Sequence, residues 1–130
     1  MSIGKTAKFN AISQFKYQEK PMTLVETILH AWDKTMETKD PEHLAAYLAD
    51  DFEFMDSNDE RDSRSETLDW SAKSDLRIGD FKTIYEDDKV MCATHSVTDE
   101  SAGPSTVMVF ATHENGKATF WTILRAFDQS

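Results

Sequence analysis

The 130-residue chain has little of what either staples or breaks a fold: one cysteine, three prolines and four glycines. A lone Cys92 cannot form an intrachain disulfide, which excludes a disulfide-stapled scaffold and fits a reducing, cytoplasmic setting. So few prolines and glycines, beside 39% hydrophobic residues, exclude a low-complexity or disordered chain. No apolar run approaches the roughly 18 residues of a membrane span, and the N-terminus lacks the continuous apolar core of a signal peptide. Neither a membrane partner nor export is expected. Positive charge is scarce as well, with 14 Lys and Arg against 24 Asp and Glu. A nucleic-acid partner, which needs a clustered basic face, is not expected.

Cofactor motifs are also missing. The four histidines and Cys92 have no zinc-ligand spacing, and there is no glycine-rich phosphate loop or dinucleotide fingerprint. The stretch from Asp56 begins like a calcium loop. Its sixth position is Arg61 instead of glycine and its twelfth is Thr67 instead of glutamate, so no metal and no cofactor is expected.

What is present reads as an N-terminal arm, residues 1–21, followed by one domain, residues 22–130. The arm carries Phe9, Ile12, Phe15 and Tyr17 among lysines and ends at Pro21. Thr23 with Glu26 has capping-box spacing, and Leu24, Val25, Ile28, Leu29, Trp32 and Met36 recur at helical period, predicting a helix over about 23–38. Asp40-Pro41 predicts a second helix, with Leu44, Tyr47 and Leu48 on one face, ending near Asp50. Phe52, Phe54 and Asp56 share one parity, the mark of a strand. Asp62-Ser63 caps a third helix, about 64–75. Strands follow over about 79–86, 89–98, 105–114 and 117–128, the last two joined by the hairpin signal Asn115-Gly116. Helices first and then an antiparallel run of strands describe an α+β domain.

The stretch from Asp40 to Ser57, DPEHLAAYLADDFEFMDS, resembles the opening of the nuclear-transport-factor-2-like (NTF2-like) superfamily, in its SnoaL-like and ketosteroid-isomerase-like branch: a short helix, an Ala-Asp-Asp turn and a first strand ending in Asp. The similarity runs over about 22–128. It implies a cystatin-like cone, three N-terminal helices packed on a curved, mainly antiparallel sheet, with a pocket for a small molecule at its open end. It also implies a homodimer through the outer face of the sheet. Members include isomerases, cyclases and lyases as well as proteins that only bind or dimerise, so the fold does not give the activity.

The resemblance puts Asp56 at the general-base position, a role that needs a carboxylate in a partly apolar pocket. The solvated alternative is that Asp56 merely opens an acidic loop. At the two positions where the family places oxyanion donors this chain has Trp32 and Met108; indole donates one hydrogen bond and a thioether none, so steroid isomerisation is not expected. If Met108 points inward, Phe110 does too. Hairpin alignment then adds Trp121, Ile123 and Arg125 to the pocket, with Val107 and Val109 outside. Both faces of these strands are apolar, which calls for cover on the outside by a second subunit or by residues 1–21. An inward Arg125 needs a partner, either Asp56 or a ligand carboxylate; otherwise it reaches the solvated rim. His95 is the acid/base candidate by residue type, but its parity stays open, and the family comparison sends it to the outer face. Trp32, Tyr47, Phe54 and Trp70 are either an aromatic wall for a ligand or plain core.

Overall fold

The computed structural model describes residues 21–99 and 103–127. The expected arm, apart from Pro21, therefore lies outside the described residues.

Helix α1 (Leu24–Thr38) is capped by Thr23, whose side chain accepts from the Glu26 amide. A second cap arrives from far along the chain: the Glu86 carboxylate accepts from the Leu24 and Val25 amides at 3.0 and 2.9 Å, so three of the first free N–H groups are satisfied. The helix buries Val25, Ile28, Leu29, Trp32, Thr35 and Met36 and stops at Lys39, which turns left-handed at φ 64°. Helix α2 is one turn, Glu42–Ala45. It was expected to reach Asp50, but strand β1 (Leu48–Met55) already begins at Leu48, because Leu48, Phe52 and Phe54 bury at strand spacing against the sheet.

A short unexpected strand, β2 (Arg61–Ser63), pairs back on β1. Helix α3 (Arg64–Lys73) follows, held by a complete Ser63/Glu66 capping box. The three helices among the described residues are thus interleaved with two strands. Then come β3 (Arg77–Glu86), β4 (Val90–Thr98), β5 (Ser105–Glu114) and β6 (Lys117–Phe127). The six strands form one sheet in the order β2-β1-β6-β5-β4-β3. Only β1 and β6 run parallel among the described strands. Register breaks in the β1–β6, β3–β4 and β5–β6 pairings bend the sheet around α1, as bulges do.

One of those breaks overturns the expected facing of β5. Asn115 and Gly116 form the turn, with φ of 56° and 80°, and Glu114 faces Lys117 and His113 faces Ala118. Beyond that Thr112 faces Phe120, so Thr119 is an extra residue in β6. Without it Ile123 would oppose Met108; with it Ile123 opposes Val109, Trp121 opposes Ala111 and Arg125 opposes Val107. A one-residue slip exchanges the two faces of a strand. Accordingly Val107, Val109 and Ala111 are buried, while Met108 and Phe110 are 51% and 42% exposed on the outer face beside Leu124. Met108 and Phe110 therefore cannot line the pocket. The same ladder fixes β4, where His95 opposes Val107 and Met91, Ala93, His95 and Val97 are buried. His95 faces inward, opposite to the family-based expectation.

Candidate functional site

Between α1 and the inner face of the sheet lies a cavity of about 90 Å³. Trp32 and Met36 of α1, Phe54 of β1, Trp70 of α3, His95 and Val97 of β4, Val107 of β5, and Trp121, Ile123 and Arg125 of β6 line it, closed by Leu29, Leu76 and Ile78. Its aromatic wall is continuous: Trp32 sits 5.1 Å from Trp121, 6.0 Å from Phe54 and 6.1 Å from Trp70, and Phe54 is 5.3 Å from Trp70, centroid to centroid. These spacings are those of attractive tilted and edge-on ring pairs.

Two of the three indoles have no hydrogen to offer a ligand. Trp32 Nε1 donates to Ser71 Oγ at 2.9 Å and Trp70 Nε1 to Asp62 Oδ2 at 3.0 Å. Trp32 thus fills the family's donor position with a donor already used. Tyr47 stays away from the cavity. Its backbone carbonyl accepts from the Ala118 amide, and its side chain borders a surface groove with His30 and His43.

Asp56 also stays outside the cavity lining. It follows β1 directly, and its Oδ1 accepts from the amides of Asn58 (2.8 Å) and Glu60 (3.3 Å) while its own amide donates to Glu60 O. The carboxylate organises the β1–β2 turn, as Asp side chains commonly do. Nor does it meet Arg125. The Arg125 guanidinium donates through Nε to Ser105 Oγ at 2.8 Å and lies over Phe127, 4.8 Å from the ring centroid. Its Nη2 is buried without a partner, the only such side-chain atom among the described residues.

His95 is 7% exposed, with Nδ1 3.1 Å from the Ser96 carbonyl. A carbonyl oxygen only accepts, so Nδ1 carries the hydrogen and the neutral ring keeps a lone pair on Nε2. Burial pushes the imidazole below its usual pKa, the Ser96 bond opposes that, and the Arg125 charge adds to the lowering. His95 is thus neutral at pH 7. His95 and Arg125 both oppose Val107 in the ladder, one from each side, so they stand in one row across three strands, roughly 10 Å apart at the backbone. Ser105 and the small floor residue Val107 are what strand reading missed, and the facing of His95 is what it left open. All three follow from Thr119, an insertion that no turn residue announces.

A larger groove of about 620 Å³, bounded by Asp50, Asp51, Glu53, Asp62 and Glu66 with Arg61 and Arg64, is less promising. Arg61 pairs with Glu53 at 2.7 Å, Arg64 donates to the Leu48 and Ala45 carbonyls, and Glu66 serves the helix cap. Among the described residues no three His, Cys, Asp or Glu cluster as metal ligands would, and no helix is long and apolar enough to cross a membrane.

No protein-family model matches the chain, and no curated protein matches it in sequence. Solved structures do resemble it. An NTF2-like protein of unknown function from Cytophaga hutchinsonii superposes with a TM-score of 0.65 at 16% identity, over 84% of this chain and 95% of that one. A protein named as a presumed ketosteroid isomerase from Kribbella flavida gives 0.67 at 15% identity, over 82% and 81%. A protein with a ketosteroid isomerase-like fold from Catenulispora acidiphila, solved in complex with trimethylamine, gives 0.57 at 15% identity, over 75% and 83%. At such identities the likeness concerns architecture alone: the chain has the NTF2-like, ketosteroid-isomerase-like fold.

Proposed function

We propose that this chain binds a compact, partly apolar organic molecule in the cavity between α1 and the sheet, and that His95 moves a proton on it. Isomerase, cyclase or lyase chemistry all need such a step. The observation that carries this reading is His95 itself: a buried, neutral imidazole whose free Nε2 has no partner among the described residues, set in an apolar wall. The base role expected of Asp56 passes in this reading to His95, because Asp56 lies outside the cavity lining, with Oδ1 accepting two turn amides. Binding without chemistry is the alternative within the same pocket.

The test is a proton-abstraction assay needing no known substrate. Small cyclic ketones are incubated with the protein in heavy water, and exchange at the carbon next to the carbonyl is followed by proton NMR. Catalysed exchange that disappears in His95→Gln supports the reading. Binding without exchange leaves a ligand-binding module, and neither binding nor exchange removes the pocket as a site.

The same fold reading favours a homodimer through the outer face of the sheet. Met108, Phe110 and Leu124, exposed there at 51, 42 and 69%, form the apolar patch that a partner would cover. Sedimentation equilibrium at several concentrations tests it, and a concentration-independent monomer rejects it.

A further inference from the structure

Arg125 combines features rarely left idle. It is anchored at one edge, by Nε to Ser105 Oγ and by its face to Phe127, so its orientation is fixed. Its other edge carries Nη2, buried and unpartnered, at a cavity wall whose remaining side chains, His95 aside, are uncharged. Leaving a charged donor buried and unpaired is costly. A planar guanidinium matches the two oxygens of a carboxylate better than any neutral acceptor.

His95 stands two strands away in the same row, with Val107 between them. Its Nε2 is an acceptor, so it would repel a second carboxylate oxygen and favour a hydroxyl or an acidic C–H. Valine is short, and the gap above it is the space in which a ligand could span the row. Size narrows the choice further. An apolar cavity of about 150 Å³ takes the six heavy atoms of benzene, so one of about 90 Å³ suits on the order of four or five.

Resting on the pocket reading above, we infer that the cavity selects small hydroxy-monocarboxylates, the carboxylate held by the free edge of Arg125 and the hydroxyl donating to His95 Nε2. The anchor is thus a cation on β6 and the selector an imidazole on β4. A cationic ligand of similar size is disfavoured by the same guanidinium.

The experiment measures binding of glycolate, acetate, glycolamide and trimethylammonium to the full chain by calorimetry. The expected order is glycolate at least tenfold tighter than its amide and at least threefold tighter than acetate, with trimethylammonium weakest. Arg125→Gln should erase the preference for carboxylate over amide, with a dispersed amide NMR spectrum reporting that the variant is folded. His95→Gln should erase the preference for the hydroxyl. Should Arg125→Gln fail to fold, Ser105→Ala, which frees Nε, is expected to weaken glycolate about three- to tenfold and glycolamide less. Equal binding of carboxylate and amide to the natural chain overturns the inference yet leaves the pocket reading intact. Absence of binding by every probe overturns both.

Discussion

Two antiparallel hairpins of the sheet, β1–β2 and β5–β6, use polar side chains in opposite ways. In the β1–β2 hairpin the polar groups are spoken for: Asp56 accepts two turn amides, Arg61 meets Glu53, and Asp62 takes the Trp70 indole. In the β5–β6 hairpin an extra residue turns the sequence over so that Trp121 and Arg125 reach the cavity, and Arg125 arrives with Nη2 unused. The first hairpin is finished as a piece of structure. The second retains a donor, Arg125 Nη2, that no described residue uses. An acid at a family's catalytic position is therefore no guide when its lone pairs already hold a turn together.

The comparison can be broken in four ways. The largest effect is expected from deleting Thr119. Without the bulge, either Val107, Val109 and Ala111 or Trp121 and Ile123 must face solvent, at roughly 1.5–3 kcal/mol for each large side chain. That approaches the whole stability of a typical domain, and loss of dispersed amide NMR signals is the expected result. A folded, dispersed spectrum would show that the bulge is not what sets the facing of β5.

Next is Trp121→Ala, which removes a 2% exposed indole and should cost about 3–5 kcal/mol in urea unfolding. Asp56→Ala should cost only about 1 kcal/mol, the worth of the turn bonds it makes, and leave binding to the cavity unchanged. Loss of binding at unchanged stability would return Asp56 to the site and undo the contrast between the hairpins.

The smallest effect at neutral pH is His95→Gln. The folded state depresses the His95 pKa, so the unfolded chain takes up the proton first and stability falls with pH. The natural chain should lose stability relative to the variant as pH drops below about 6.5, the unfolded value, and continue losing it down to the lowered folded value. Above pH 7.5 the two stability curves should run parallel. A constant difference between pH 7.5 and 5 would mean that His95 is not held neutral by burial.

Most of the fold was readable because it rests on local signals. The Thr23 cap and the apolar stripe of α1, the Ser63 cap of α3 and the Asn115-Gly116 turn each carry their own chemistry, and the limits of β3 to β6 fall within about two residues of those expected. The α+β class and the resemblance carried by DPEHLAAYLADDFEFMDS agree with the solved NTF2-like structures. The brevity of α2 was not readable, because Leu44 and Leu48 suit a helical face as well as the start of a strand. Site residues divide along the same line. Trp32, Phe54, Trp70, Trp121, Ile123 and Arg125 line the cavity, whereas Met108, Phe110 and the facing of His95 depended on register, a property of two strands together. A threonine bulge costs nothing that the sequence of either strand displays.

The far-off cap on α1 has a meaning for how the molecule assembles. Glu86 lies 62 and 61 positions from the amides it receives, and Thr83 adds a bond to the Glu26 carboxylate on the same first turn. The start of α1 is thus completed only once the edge strand β3 has docked, after a closure whose entropy grows with loop length. Helix and sheet are in this respect one cooperative unit. A chain stopped before Glu86 would keep the apolar stripe of α1 and lose the cap that fixes where the helix begins.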